Sequence, residues 1–302
     1  MRWLLFALSG PVLWAISTHL DKFLVERYFK RTYPAVLLMF TAITNLLALP
    51  LIWACLPTAA IALDTLVLMM FSGILLMGAM LLYLRALQVE EASVVAPFFQ
   101  AAPLFGYAFG YFVLGEVLTL MQLLGAALIM LGALAASLNS GGGVRPRFNA
   151  RLAVLMVACA IAVALSALIF KLFAIHDEFW TTTFWMFAGQ ATFGCAPLAM
   201  PSLRREFWRI LRSSTGAVIA INAANELINL GGGLGTRYAL VLAPMSLVQA
   251  IGGTTTVFVF VFGVALSILS PTLGREDLSP NALVRKGTAA VLVTIGIVLI
   301  SG

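Results

Sequence analysis

Apolar residues fill this chain in long blocks, and polar or charged residues are largely confined to the gaps between them. Ten runs stand out, near 3–22, 34–54, 65–85, 93–113, 121–138, 152–174, 180–200, 216–236, 244–268 and 284–300. Each is close to the roughly 20 residues that a helix needs to cross a bilayer. The runs are continuous rather than alternating, which selects helices over the strands of a barrel. The gaps are short. The pattern therefore predicts an all-α membrane protein with ten transmembrane helices and no sizeable soluble domain.

Composition agrees. Of 302 residues, 62% are hydrophobic and 10% charged, against roughly 45–50% and about 25% in soluble domains. Mean hydropathy is +1.04. A soluble chain of this length would form one large or two modest domains, and their cores could not bury so much apolar surface. The net charge of +6 does not imply a nucleic-acid partner, because excess Lys and Arg in a membrane protein belong to cytoplasmic loops. Cys55, Cys159 and Cys195 lie in or beside apolar runs without CxxC spacing and read as inert thiols. With only His19 and His176, no zinc site is expected, and no cofactor is implied.

The basic residues set the orientation. Fourteen of them follow the odd-numbered runs: Arg27, Lys30 and Arg31; Arg85; Arg145, Arg147 and Arg151; Arg204, Arg205, Arg209 and Arg212; Arg275, Arg285 and Lys286. Only Arg2 and Arg237 fall on the opposite side. The positive-inside rule then makes those loops cytoplasmic and puts both termini outside, in a bacterial-type cytoplasmic (inner) membrane. The start, "MRWLLFALSGPVLWA", resembles a signal peptide. Two features argue against that: more basic residues follow the run than precede it, and the run has a partner later in the chain.

The Gly-rich, basic segment "NSGGGVRPRFNAR", 139–151, divides the runs five and five and is expected to be a cytoplasmic linker between repeats at 1–138 and 152–302. "RALQVEEASVV" at 85–95 matches "RYALVLAPMSLVQ" at 237–249, aligning Ser93 with Ser246. "GEVLT" at 115–119 resembles "REDLS" at 275–279, aligning Glu116 with Glu276. Lys22 in run one has a counterpart in Lys171 in run six. Five spans is an odd number, so the second half is expected to run inverted to the first, as in many secondary transporters.

Residues 86–132, "ALQVEEASVVAPFFQAAPLFGYAFGYFVLGEVLTLMQLLGAALIMLG", carry a family resemblance. A Ser near a helix start, a Pro a few turns on, a Gly-Glu-x-Leu-Thr connection and a Gly-spaced final helix follow one another. In this the chain resembles the EamA-type drug/metabolite transporters across nearly its full length. The second copy departs from the pattern: Thr256 stands where the first has Pro103, and the Glu connection is longer. The resemblance implies a ten-helix carrier of small metabolites, often an exporter, and names no substrate.

An ionisable side chain within the bilayer costs at least about 2.5–3.5 kcal/mol on insertion scales, and so tends to face the bundle interior or a wet cavity. "INAANELINLGGGLG", 221–235, is the strongest candidate. Asn222, Asn225, Glu226 and Asn229 fall at i, i+3, i+4 and i+7, one helix face. The asparagines serve equally well as interhelical glue. Glu226, near mid-span, is expected to bind a cationic group or carry a coupling proton. The following glycines either let backbones approach closely or let the helix loosen.

Near the end of run one, His19 and Asp21 fit a cytoplasmic edge, and Lys22 fits a snorkelling anchor. The match with Lys171 adds a second reading. Paired lysines in inverted halves would face one cavity from opposite ends, suited to a carboxylate or phosphate or to pairing with Glu226. His19 shares a face with Lys22 at i, i+3. Ser246, Gln249, Gly253 and Thr256 form a further polar face, matched by Ser93, Pro97 and Gln100 in the first half; these line a cavity or serve close packing. Arg85 and Arg237 read as anchors at span ends, and Glu116 and Glu276 as helix-start caps. Gly125, Gly132, Gly287 and Gly296 mark runs five and ten as packing helices that also suit a homodimer.

Four function classes compete. A secondary transporter moving a small polar or amphipathic metabolite by alternating access, expected to be an exporter and open to proton coupling through Glu226, accounts for the repeat and the polar faces. There is no GxxxxGK[ST] motif for ATP hydrolysis. A flippase for lipid-linked or amphipathic substrates is mechanically close but needs a side opening to lipid. An enzyme needs a nucleophile or metal-ligand spacing beside His19/Asp21 or His176/Asp177, and neither is present. A purely structural role leaves Glu226 without purpose. The expected partners are a small-molecule substrate and the lipid bilayer.

Overall fold

The computed structural model describes residues 2–27, 33–55, 61–89, 101–137, 150–176, 178–269 and 280–301. Within them the chain is helical, with no strand. The helices are α1 (Arg2–Arg27), α2 (Pro34–Cys55), α3 (Leu63–Val89), α4 (Ala102–Leu114), α5 (Leu120–Ser137), α6 (Ala150–His176) and α7 (Phe179–Cys195). After a 3-10 turn at Ala196–Ala199 come α8 (Pro201–Ser213), α9 (Gly216–Leu242), α10 (Met245–Gly252), α11 (Thr255–Leu269) and α12 (Pro280–Ser301). Five stretches, in α1, α2, α3, α6 and the α10–α11 pair, are long and apolar enough to cross a bilayer by length and composition. Shorter apolar stretches lie in α4, α5 and α12.

Two elements differ from the hydropathy reading. Run nine is not one helix. It tightens at Gly253–Thr254 into i→i+3 bonds, Gly253 N to Ala250 O and Thr254 N to Ile251 O, both 2.9 Å. Two glycines without side chains weaken the helix here, and the hydroxyls of Thr255 and Thr256 bond back to Gly252 O and Gly253 O. The second difference is α8. Pro197 and Pro201 end α7 and start a new helix. Phe207 and Ile210 of α8 are buried, whereas Arg204, Arg205, Arg209 and Arg212 are exposed. An apolar stripe opposite a basic face fits a helix lying at the membrane surface.

Small residues decide how the long helices pair. α1 lies along α9, α3 along α6, and α5 along α12; α7 packs on both α2 and α3. α4 packs on α6 and α10, and α11 on α1. In the α5–α12 pair, a Cβ on Gly125 would stand 2.7 Å from Gly296 O, and one on Gly296 2.6 Å from Gly125 O. That glycine face, read in the sequence as suited to a homodimer, is thus occupied within the chain. A side chain on Gly73 of α3 would strike Met186 O, and one on Gly189 of α7 would strike Met70 O, so these two backbones meet directly. The glycines of "GGGLG" likewise serve close approach. α9 runs unbroken through them, and Gly232 and Gly235 admit Trp14, Ser9 and the backbone of α1. The largest buried apolar cluster joins α6, α7, α9 and α10 through Phe170, Met186, Leu240, Met245 and Ile251.

Candidate functional site

The polar face of α9 divides between two neighbours. Asn225 is buried and donates from Nδ2 to Asp21 Oδ1 of α1 at 2.6 Å. Ser17, one turn earlier on α1, lies 3.5 Å from the other Asp21 oxygen. Glu226, 8% exposed, turns to α2 and accepts a hydrogen bond from Thr41 Oγ1 at 3.1 Å. Asn229 is half-buried. Asn222 helps line a cavity of about 250 Å³ with Phe40, Thr44 and Leu47 of α2 and Phe207 and Leu211 of α8. Among the described residues, neither carboxylate of the Asp21/Glu226 pair has a cation within ion-pair distance. Where helices α1, α2 and α9 meet, the chain therefore holds two acidic groups supported only by neutral donors.

His19, on the next helix face, donates from Nε2 to Val259 O of α11 at 3.0 Å, tying α1 to α11. Lys22 lies on α1, and its side chain is outside the described residues, as are Ser93, Pro97, Gln100 and Glu276.

Lys171 is buried far from that cluster in pairing terms: its partner is Glu116, not Glu226. Lys171 Nζ lies 2.5 Å from Glu116 Oε1 and 2.5 Å from Ala243 O. Glu116 Oε2 accepts the Met245 N–H at 2.8 Å, at the start of α10. The connection reaches this point because Gly115 takes a left-handed conformation, φ 65°, that a side chain would strain. Gly110 leaves the room: a Cβ there would stand 2.5 Å from Glu116 Oε2. Glu116 is a helix-start cap, as its position suggests, but it caps α10 rather than α5, which follows it. The start of α5 is capped by Thr119 and Gln122, whose side chains bond each other's backbone N–H at 3.2 and 3.0 Å. The Thr-x-x-Gln spacing is the signal that would have separated the two.

On α10, Ser246 Oγ and both amide atoms of Gln249 are buried without a hydrogen-bond partner among the described residues. Gln249 packs over Gly106 of α4. Thr256 bonds only its own backbone.

Three polar arrangements escaped the sequence reading. Asn45 of α2 donates to Gln190 Oε1 of α7 at 2.7 Å, both buried. Ser72 of α3 and Ser166 of α6 bond each other's carbonyls at 3.0 and 2.8 Å. These are single polar residues in otherwise apolar spans, which is their only signature in the sequence. The third is a correction. Arg85 is exposed, as an anchor would be, but Arg237 is not an anchor: it is 9% exposed and its guanidinium lies 4.8 Å over the Phe187 ring. Run eight continues as helix to Leu242, which draws Arg237 inside.

Long apolar helices with polar groups buried between them mark a multi-pass membrane protein. The model of the EamA-like transporter family, within the drug/metabolite transporter superfamily, matches residues 1–138 of the chain. Members of that family are transporters rather than enzymes, and the match implies a drug/metabolite-type transporter. No curated protein matches the chain. A solved crystal structure, described only as that of a protein, shares the fold: TM-score 0.69 at 16% identity, over 99% of this chain and 95% of that one.

Proposed function

We propose that this chain is a secondary carrier that moves a small polar or amphipathic metabolite by alternating access, in the export direction that the family resemblance implies, with Glu226 and Asp21 carrying the coupling proton. The observation that carries the reading is the acidic pair itself. A carboxylate held within a membrane helix bundle by a single Thr41 hydroxyl, with no cation beside it among the described residues, has room for a proton or for a cationic group.

The helix pairings support ten crossings in two inverted halves. Under inversion α1–α9 exchanges with α6–α3, and both pairs pack along their length. α2–α7 and α5–α12 exchange with themselves, and both are close. α11–α1 exchanges with α4–α6, again both in contact. One pairing departs: α3–α7 is tightly packed, whereas its counterpart α9–α2 is sparse and flanked by the cavity. A carrier open on one side has one seam shut and the mirror seam apart. With the basic loops cytoplasmic and both termini outside, the open seam faces the cytoplasm beside α8.

The test is flux in proteoliposomes, loaded with pooled metabolite classes, with and without a pH gradient. Wild-type flux is expected to follow the gradient, and Glu226→Gln to transport without following it. Wild-type flux indifferent to the gradient sinks the coupling role of Glu226.

A further inference from the structure

Arg237 is placed against the usual preference of its residue type. Its Cα lies five residues from the end of α9, about 8 Å along the axis. An arginine so close to a helix end ordinarily extends its stem outward to water. This one folds back along its own helix: an ideal Cβ on Gly233, one turn earlier, would stand 3.3 Å from Arg237 Nη1. The guanidinium then lies over Phe187, eight residues or about 12 Å into α7. Gly233 supplies the space, and Phe187, 1% exposed, supplies the platform.

Apart from that ring, Arg237 has no ion pair and no hydrogen bond among the described residues. The aromatic face covers the flat side of the guanidinium and leaves its N–H edges, which are the edges that grip a carboxylate two at a time. A second observation points to the same place. Thr183 lies one turn before Phe187 on the same face of α7, and its Oγ1 is buried without a partner among the described residues. Glu226 and Arg237 also share a face of α9: eleven residues is three turns and about 16 Å.

We infer that Arg237 is an anion subsite of the transport path, and that it takes the carboxylate of an organic acid. Phe187 holds the guanidinium from behind, and the Thr183 hydroxyl is the added donor. This rests on the carrier reading for its purpose, but the binding step is separable from coupling.

The probes are benzoate and its neutral amide, benzamide, read by thermal shift and tryptophan fluorescence on the purified full chain. Wild type should bind benzoate in preference to benzamide. Arg237→Gln should abolish the preference, Arg237→Lys should weaken benzoate binding by about 10- to 100-fold, and Thr183→Val should weaken it less. Should Arg237→Gln not fold, Thr183→Val and Arg237→Lys decide. Equal binding of the two probes, unchanged benzoate binding in the folded variants, or binding of inorganic phosphate in place of benzoate would each overturn the assignment. The coupling role is read separately, as the response of wild-type flux to a pH gradient, so failure here and failure of that role appear in different measurements.

Discussion

Glu116 and Lys171 meet at 2.5 Å, joining the connection after α4 to α6, the first helix of the second half. Each also holds backbone where α9 passes into α10: Lys171 the Ala243 carbonyl, Glu116 the Met245 N–H. Four partners therefore satisfy one another in a region with little water. Such a pair costs most when only one member is removed, because the other is left buried and uncompensated.

Lys171→Met and Glu116→Gln should each destabilise the detergent-solubilised protein by about 3 kcal/mol, and the double variant by less than their sum. A double-mutant cycle on thermal unfolding measures this. If Lys171 were instead a substrate ligand, Lys171→Met would keep its melting temperature and lose only flux.

Asp21→Asn should behave differently. The amide oxygen still accepts from Asn225, and the new amide nitrogen faces the Ser17 hydroxyl, so stability should stay within about 1 kcal/mol of wild type. Proton coupling should be lost with the carboxylate. Flux in proteoliposomes with and without a pH gradient, beside a melting curve, separates the two effects. A variant with normal gradient dependence leaves Glu226 as the only acidic group involved.

Most of the helical plan was legible because bilayer thickness imposes a length on apolar runs that no local propensity overrides. The face at Asn222, Asn225, Glu226 and Asn229 was legible for the same reason, since polar residues at helical spacing stand out in lipid-facing sequence. What the pattern could not carry was pairing. Lys171 and Glu226 are opposite charges in one bundle, and nothing in one chain's sequence says that Lys171 reaches Glu116 instead. The break at Gly253–Thr254 sits inside an apolar run whose hydropathy is unaffected by backbone hydrogen bonding. Arg237 was misread because its position near a span end says where the Cα lies, while Gly233 decides which way the side chain turns.

The α3–α7 seam makes a steric prediction. Gly73 and Gly189 lie against the opposing backbone, at Met186 O and Met70 O, where no flexible side chain can give way. Gly189→Val should force the helices apart, destabilise the protein by about 1–3 kcal/mol and suppress transport. Gly231→Ala is the control, since its nearest neighbour is the end of the Leu13 side chain at 3.5 Å. The melting temperature of Gly73→Val should fall likewise; an unchanged melting temperature would mean the seam tolerates the added side chain.

The two faces of α8 should respond in opposite ways. Phe207 is 3% exposed and packs with Phe40, at a ring separation of 5.1 Å, and with Leu24, Val36 and Met39. Truncating it removes apolar contacts on α1, α2 and α9 together, so Phe207→Ala should cost about 3 kcal/mol and loosen the wall of the cavity. Arg209 is held to Glu206 by two hydrogen bonds of 2.5 and 3.0 Å, yet it stands exposed, where water and salt screen the pair. Arg209→Ala should leave the melting temperature unchanged in detergent. In vesicles containing anionic lipid, removing Arg204, Arg205 and Arg209 together should weaken the protection of α8 from protease, because the basic face then no longer holds the helix against the headgroups. Cleavage at the same rate in neutral and anionic vesicles, with the arginines present, would mean that packing through Phe207 and Ile210 alone keeps α8 in place.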